Sequence, residues 1–150
     1  MSRLSAELYC KWLSEQTGQT YRLPTEAQWA HIYQQGGGDP SQPPADPDAV
    51  AIYEANSEDD LIGDWATRPI GSTEPNELGI YDLAGNVCEW VLTEQDRVAR
   101  GGHFESEADE LVISRHIEDK SWNKTDPNEP KSIWLFVDAR WVGFRVVQEL

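Results

Sequence analysis

The first part of the chain places apolar residues at helical spacing. Apolar side chains recur every four positions from Leu4 to Trp12, which predicts an amphipathic helix over about residues 6–16. Ser5 is the expected N-cap, and Gly18 the expected stop, because a glycine there can adopt the left-handed conformation that ends many helices.

A second helix is predicted after a short extended segment. Thr25 is the expected N-cap, and Glu26 in the first turn suits the positive end of the helix dipole. The glycine run Gly36–Gly38 ends this helix. The following segment, Asp39–Asp48, contains four prolines and no apolar periodicity, so we expect a surface loop there.

From Ala49 onward the pattern favours strands. Turn residues occur at short intervals, and the runs between them are rich in aromatic and β-branched residues, which predicts short strands in a twisted, loop-dominated antiparallel sheet. The predicted strands are Gly79–Leu83, Val87–Leu92, Val98–Arg100, Val112–Ser114, Ser132–Val137 and Gly143–Val147. With no internal repeat, the chain is expected to be one α+β domain over residues 1–150.

Composition narrows the function classes. The 150 residues carry 12 Lys+Arg against 27 Asp+Glu, a net charge of −15, so we expect no nucleic-acid partner. The seven tryptophans and 39% hydrophobic residues exclude a disordered acidic tail. No apolar run approaches the roughly 18 residues of a membrane span, and the start MSRLSAELYC lacks the apolar stretch of a secretory signal. We expect no membrane partner, and a cytoplasmic location is favoured.

The segment around a predicted Gly85–Asn86 turn carries the most informative chemistry. Asp82 and Glu89 lie on either side of the turn, and Ca²⁺ prefers carboxylate and carbonyl oxygens of the kind they and the turn provide. Spacing alone favours a simpler arrangement, in which Asp82 caps the turn and Glu89 pairs with an arginine. The arginines beside glycine and aromatic residues, Arg100 and Arg145, are interpreted as members of structural ion pairs.

Other motifs argue against common catalytic centres. The acidic stretch at residues 56–60 lacks EF-hand spacing and favours a solvated loop. His103 and His116 each begin an H-x-E, but the P-C-x-x-C of zinc deaminases is absent, as are a phosphate loop and a G-x-S-x-G. Cys10 and Cys88 lie in apolar contexts and are expected to be inert core thiols.

Taken together, motifs along the whole chain resemble the formylglycine-generating enzyme, or sulfatase-modifying factor, domain. The resemblance implies a C-type-lectin-like fold with little regular structure. It also implies that the chain corresponds to the C-terminal part of that domain, with no counterpart of its N-terminal strands. The motifs, in chain order, are AELYCKWL at 6–13, YRLPTEAQW at 21–29, Asn56, NELGIYDLAGNVCEW at 76–90, RVARGGHF at 97–104, Ser114-Arg115 and VGFRVV at 142–147.

The resemblance also implies metal ligands. The positions of Asp82, Gly85, Val87 and Glu89 match calcium ligands of the family one by one, which makes a structural Ca²⁺ there the expectation. Asn56, with Ser57 beside it, would belong to a second calcium site.

Two departures from the family limit what the resemblance implies about activity. The oxidase members bind copper with two cysteines after the R-G-G motif, and those positions fall at about Ser106 and Leu111. Cu(I) requires soft thiolate ligands, so copper is not expected and formylglycine formation by that mechanism should be absent. The helix cysteine of the family, here Cys10, commonly pairs with a cysteine at the position of Val146, so that disulfide is missing and a reducing compartment remains possible.

These observations lead to a main expectation and an alternative. The chain is expected to be a non-catalytic, calcium-stabilised binding or accessory module, whose ligand groove lies near His103, Ser106 and Arg115. The alternative is part of an oxidoreductase of this family, a formylglycine-generating oxidase or an ergothioneine-type sulfoxide synthase, that needs another domain or chain.

Two further expectations follow from the resemblance. Because absent N-terminal strands would expose sheet edges, we expect a protein partner or a homodimer that completes the domain. The segment Trp122–Asp138 is similar to segments of bacterial relatives of unknown activity, and a functionless remnant of a longer gene is a third possibility.

Overall fold

The computed structural model describes residues 1–59, 61, 63–94, 96–118 and 140–149. The predicted strand Ser132–Val137 and the segment Trp122–Asp138 lie outside the described residues. Among the residues described, no helix combines the length and apolar character that crossing a bilayer requires.

Both predicted helices are present. Helix α1 spans Arg3–Thr17 and ends at Gly18, whose φ of 71° is left-handed as expected. Its predicted N-cap was wrong, because the Ser2 hydroxyl, not that of Ser5, accepts the first free backbone N–H and so starts the helix earlier.

The second helix follows the sequence expectation closely. Helix α2 spans Glu26–Gln35, and Thr25 and Gln28 form a reciprocal capping box at its start. The glycine run ends it as predicted. A short helix α3, Pro47–Val50, closes the proline-rich loop, and a single 3-10 turn covers Glu54–Asn56.

Short strands make up the remaining regular structure of the described residues. They are β1 Tyr21–Arg22, β2 Ala51–Ile52, β3 Glu58–Asp59, β4 Asp64–Trp65, β5 Ala84–Gly85, β6 Cys88–Val91, β7 Val98–Arg100, β8 Arg115–Ile117, β9 Val142–Gly143 and β10 Val147–Gln148. The main sheet has the order β8-β7-β6-β9, and β1–β10, β2–β5 and β3–β4 form separate pairs. The result is the loop-rich α+β arrangement that the sequence predicts.

The expectation of an antiparallel sheet was wrong for two pairs. Strand β6 runs parallel to β9, and β2 runs parallel to β5. Parallel neighbours need long connections, and both pairs join segments more than 30 residues apart in the chain. The close spacing of turn signals reported only local hairpins and could not reveal these distant pairings.

Two predicted strands were also wrong. Residues 79–83 form no strand; the chain turns just before them at 77–78, where the Asn76 Oδ1 atom accepts hydrogen bonds from the backbone of Leu78 and Ile80. Val112 has a φ of 69°, which ends any strand there, and β8 begins only at Arg115. The predicted strand 143–147 divides into β9 and β10.

The core has two parts on opposite faces of β6. Cys88 and Trp90 point toward the α1 side, where they pack in a cluster with Ala6 and Cys10. Val91 points toward the α2 side and packs in the cluster of Trp29. Both cysteines are free and buried, as predicted for core thiols. Because side chains alternate along a strand, Glu89 faces α2 with Val91.

Candidate functional site

The turn that precedes β6 requires a glycine at position 85, because the backbone packs closely there. Gly85 has a φ of 71°, and a Cβ atom there would lie 2.3 Å from the carbonyl oxygen of Ile52. The next residue, Asn86, is also left-handed, and its side chain accepts from the Arg68 amide and donates to the Arg68 carbonyl. This turn holds Asp82 and Glu89 on either side of one local structure.

Glu89 carries a buried, fully partnered carboxylate. Its Oε2 accepts from Trp29 Nε1 at 3.0 Å and from Arg145 Nε at 3.1 Å, and its Oε1 accepts from Arg145 Nη2 at 2.7 Å. The two contacts to Arg145 make a bidentate, charge-assisted pair. Burial raises the pKa of Glu89 above its usual range, and Arg145 opposes that rise. The interpretation of Arg145 as an ion-pair member is confirmed.

Asp82 lies across a cavity from Glu89. It has a left-handed φ of 57°, and its carboxylate accepts from the Gly71 amide at 2.8 Å. Arg145 Nη2 also donates to the Tyr81 carbonyl at 2.8 Å and so joins the two walls. The cavity measures about 370 Å³ and is bordered by Ile70, Gly79, Ile80, Tyr81, Asp82, Asn86, Val87, Glu89, Phe144 and Arg145.

The oxygen atoms in this cavity are of the kind that calcium binds, but Arg145 already pairs with one of the two carboxylates. Two carboxylates line it beside Val87, whereas Gly85 is not among its lining residues, and Ca²⁺ takes about 6–8 oxygen ligands. Arg145 already neutralises Glu89 from the same space. Among the described residues, no group of three or more His, Cys, Asp or Glu is close enough to hold a metal ion. A calcium ion would therefore rely on carbonyl and water oxygens and compete with Arg145 for Glu89.

Asn56 does not join this cavity. Its Oδ1 accepts from the Tyr53 amide at 2.9 Å, and its Nδ2 donates to the Ala51 carbonyl at 3.0 Å. Its side chain therefore closes its own 3-10 turn.

Of the residues of the expected ligand groove, His103 and Ser106 lie together, and Arg115 points to different surroundings. The His103 ring stacks on the Trp141 ring with centroids 4.7 Å apart. The centroid of the His116 ring lies 5.5 Å from that of His103. Ser106 is 1% exposed, and its hydroxyl accepts from the His103 amide. Arg115 instead reaches α2, where its Nε donates to Glu26 at 3.0 Å.

The histidine pair is held uncharged. Burial, together with neighbouring His116, lowers the pKa of His103 to about 4. Burial also lowers the pKa of His116. The His103 Nδ1 atom accepts from the Glu105 amide at 3.2 Å, which fixes the neutral tautomer with hydrogen on Nε2. Sequence reasoning missed this pair, because β8 brings His116 to His103 only in the folded sheet.

The positions of the family's two cysteines lie together. A Cβ atom on Gly102 would be 2.9 Å from Leu111 Cδ2 and 3.5 Å from the Ser106 hydroxyl oxygen. Ser106 and Leu111 are both buried, and Leu111 belongs to the α2-side core. The hydroxyl group of Ser106 and the isobutyl group of Leu111 stand where the two cysteines are expected, and neither is a ligand for copper.

Comparison with known proteins identifies the family. The domain described as "Sulfatase-modifying factor enzyme 1-like domain" matches residues 2–150. The chain belongs to this family. Solved structures support the same fold: PvdO from Pseudomonas aeruginosa matches with a TM-score of 0.66 and 26% identity, over 97% of this chain and 59% of that one. A structure titled CarF has a TM-score of 0.64 at 20% identity, over 97% and 64% of the two chains.

Two curated relatives are longer proteins. The chaperone protein LppX of Paenibacillus barcinonensis is 38% identical over 119 residues, which cover 63% of this chain and 42% of that protein. The formylglycine-generating enzyme of Mycobacterium tuberculosis is 30% identical over 103 residues, which cover 59% of this chain and 30% of that protein. This family member therefore spans less than half the length of either relative.

Proposed function

We propose that this chain is a non-catalytic binding or accessory module of the sulfatase-modifying factor family, stabilised by calcium. The observation that carries the proposal is the side-chain chemistry beside Gly102. The two positions expected to hold copper-binding cysteines are Ser106 and Leu111, which supply no thiolate. The name of the LppX relative, a chaperone protein, supports an accessory role.

The remaining cysteines cannot substitute for the missing pair. Burial raises the pKa of both Cys10 and Cys88, far above the ordinary range for Cys88. A neutral, buried thiol is neither a good nucleophile nor a copper ligand. Both lie in the α1-side cluster, away from the Ser106 and Leu111 positions.

An assay for aldehyde formation tests the absence of oxidase activity. The full chain would be incubated with a C-x-P-x-R peptide, copper and oxygen, and the aldehyde would be trapped with a hydrazide. We expect no product above a protein-free control. Product above that control would overturn the non-catalytic assignment, whether or not the Cys10→Ala, Cys88→Ala double variant also forms it.

Calcium is the proposed counter-charge at the Asp82 and Glu89 cavity. Resemblance to the family ligands and the shared cavity support it, and when bound the ion would supply positive charge between the two carboxylates. In its absence, Arg145 balances Glu89 alone. Asn56 is proposed as a member of a second site only on the resemblance, since its side chain is used within its own turn.

Thermal melting against calcium tests this part of the proposal. We expect Ca²⁺ at millimolar concentration to raise Tm for the wild type and not for Asp82→Asn. Asp109→Asn, at an exposed carboxylate outside the cavity, is the matched control and should retain the full shift. Equal shifts in both variants, or no shift in the wild type, would remove calcium from the proposal.

The alternative function is part of an oxidoreductase that another domain or chain completes. The match to the M. tuberculosis formylglycine-generating enzyme favours it. Activity that appears only when a second polypeptide is added would support this alternative over the binding module.

A protein partner or a second copy of the chain is also proposed. Leu8, Tyr9 and Trp12 on α1 are 44%, 43% and 51% exposed and form an apolar strip on the surface. Light scattering after size exclusion should report a dimer that Trp12→Glu dissociates. A monomer at all concentrations would exclude the second copy and leave only a different protein as the partner.

A further inference from the structure

A second and larger cavity lies on the other side of Asp82. It measures about 520 Å³ and is enclosed by the end of α2, the proline-rich loop and the segment from Glu74 to Ala84. Its walls are mostly apolar, with Tyr33, Pro43, Pro44, Val50, Ile80 and Leu83 among them. Clefts of this size and character are where small organic molecules bind in proteins.

Among the residues that the structure describes, only carboxylates supply charge around this cavity, and no Lys, Arg or His is found in its lining. Five acidic side chains border it: Asp39, Asp46, Glu74, Glu77 and Asp82. A concave, low-dielectric wall that carries charge of one sign concentrates its potential on the enclosed space.

Every arginine of the chain forms an ion pair outside this cavity. All eight lie in the described part of the chain, and each forms an ion pair with a carboxylate outside this cavity. The pairs are Arg3–Glu7, Arg22–Glu149, Arg68–Asp59, Arg97–Glu118, Arg100–Glu26, Arg115–Glu26, Arg140–Asp64 and Arg145–Glu89.

The acidic groups of the cavity are too dispersed for a metal ion. Asp39 accepts from Ser41, Asp46 accepts from the Ala49 amide, and Asp82 accepts from the Gly71 amide. Glu74 and Glu77 have neither a hydrogen-bonding nor an ionic partner for their carboxylates among the described residues. Since no three such groups there converge on one point, an extended organic cation matches the arrangement better than a metal ion does.

The walls are already shaped before any ligand binds. The Tyr33 ring stacks on Trp29 with an interplanar angle of 1°, and the backbone of Gly38 lies so close that a Cβ atom would be 2.2 Å from the Tyr33 ring. Burial raises the pKa of Tyr33, and nearby Asp39 adds to the rise, so the phenol stays neutral. A neutral aromatic face can contact a cation favourably.

One buried donor on the opposite wall has no acceptor. Asn76 uses its Oδ1 to hold the turn at residues 77–80, and its Nδ2 is buried against Gly36 without a partner among the described residues. Buried donors in folded proteins are normally satisfied by protein, water or ligand. A water molecule or an acceptor atom of a ligand would satisfy this donor.

We propose that this cavity binds a small organic ammonium ion with an aromatic or aliphatic body. The ammonium lies between the Glu74 and Glu77 carboxylates, and the body lies against Tyr33, Val50 and Ile80. This inference deepens the proposed binding role, which it relies on. The described lining of the cavity does not include His103, Ser106 or Arg115. The inference does not depend on calcium.

Binding of phenethylamine to the full chain, followed by calorimetry, tests the proposal. The neutral isostere 2-phenylethanol and the anionic phenylacetate have nearly the same body and serve as charge controls. We expect phenethylamine to bind at least about tenfold more tightly than 2-phenylethanol, because a charge-assisted contact is lost in the alcohol. Phenylacetate should not bind, and added salt should weaken binding of the amine. Equal affinities for amine and alcohol, or no amine binding at millimolar concentration, would overturn the proposal.

Matched variants locate the site. Glu77→Gln and Glu74→Gln should each weaken amine binding by about threefold to tenfold, and the double variant should abolish it. Glu15→Gln, at an exposed carboxylate on α1 outside the cavity, should bind as the wild type does. An equal loss in Glu15→Gln would show that only overall charge attracts the amine, which contradicts a site. Calcium-dependent melting of the same variants should be unchanged, so the failure of amine binding and the failure of calcium binding are separate results.

Discussion

Asp82 lines two cavities, and the other carboxylates of these cavities differ in burial and in their partners. In the smaller one, Glu89 is buried and its two oxygens are taken by Arg145 and Trp29. In the larger one, Glu74 and Glu77 are exposed, and no cation of the described chain contacts them. The difference shows how an acidic protein can use the same side-chain type to hold its structure in one place and to present an unbalanced charge in another.

Removing Arg145 should have the largest effect on this contrast. Arg145→Ala leaves Glu89 buried without its counter-charge, so we expect a loss of about 3–5 kcal/mol in the free energy of unfolding. Chemical denaturation at pH 7 measures it. Because the pKa of Glu89 is raised further in the variant, protonation should relieve the strain, and the loss should be smaller at pH 5 than at pH 8. A loss that does not vary with pH would contradict the role of Arg145 as counter-charge.

A steric change at the turn should rank second. In Gly85→Ala the new Cβ meets the Ile52 carbonyl at 2.3 Å and φ remains positive, so we expect a loss of about 2–4 kcal/mol. Gly18→Ala is the matched control, because Gly18 has the same φ of 71° with nothing within 4 Å. It should lose only about 1–2 kcal/mol, the cost of the left-handed conformation alone. Equal losses would mean that the turn relaxes and does not fix Glu89.

The histidine pair extends the comparison to a site whose nearest described carboxylate, Glu105 at 3.9 Å from His103 Nδ1, is only partly buried. Since the folded-state pKa of His103 is lowered to about 4 from an ordinary value of 6.5, the unfolded state binds more protons between these values. Stability should therefore fall as pH drops from 6.5 toward 4. His103→Gln should flatten that fall in a pH series of melting curves, while His31→Gln, at an exposed histidine, should leave it unchanged. A wild-type Tm that rises over this interval would contradict the assignment.

The smallest effect is expected at the unpaired carboxylates. Glu74→Gln and Glu77→Gln remove charges that have no described partner, so each should change stability by less than about 0.5 kcal/mol, or increase it slightly. Glu89→Gln should destabilise by several times as much. A large loss from either of the first two variants would show that these glutamates hold structure, which would remove the contrast between the cavities.

Local structure followed from the sequence where neighbouring residues determine it. Thr25 and Gln28 form the start of α2 by contacts within one turn, and Gly18 ends α1 as the pattern predicts. The placement of Glu89 opposite a cation was left open between an arginine and calcium. Only the fold decides which arginine is near, since Arg145 is 56 residues away in the chain.

The parts that the sequence did not predict depend on distant contacts. The parallel partner of β6 comes from β9, and Val112, a strand former by type, is left-handed because the chain turns there to bury it beside Leu111. The larger cavity also escaped prediction, since three separate segments build it and the motif at 76–90 did not indicate a cavity. Apart from Asp82, its acidic residues were indistinguishable from a solvated surface until the structure placed them around one space.

The pairing of β6 with β9 has a consequence for how the protein is made. Cys88 and Glu89 leave the ribosome long before their strand neighbours Val142 and Gly143 and before Arg145. An inner strand of the main sheet and a buried carboxylate therefore lack these partners until residues 142–145 have been made. We expect the nascent chain to expose an unpaired β edge until then, the interval in which a sheet of this topology is most open to association with other chains.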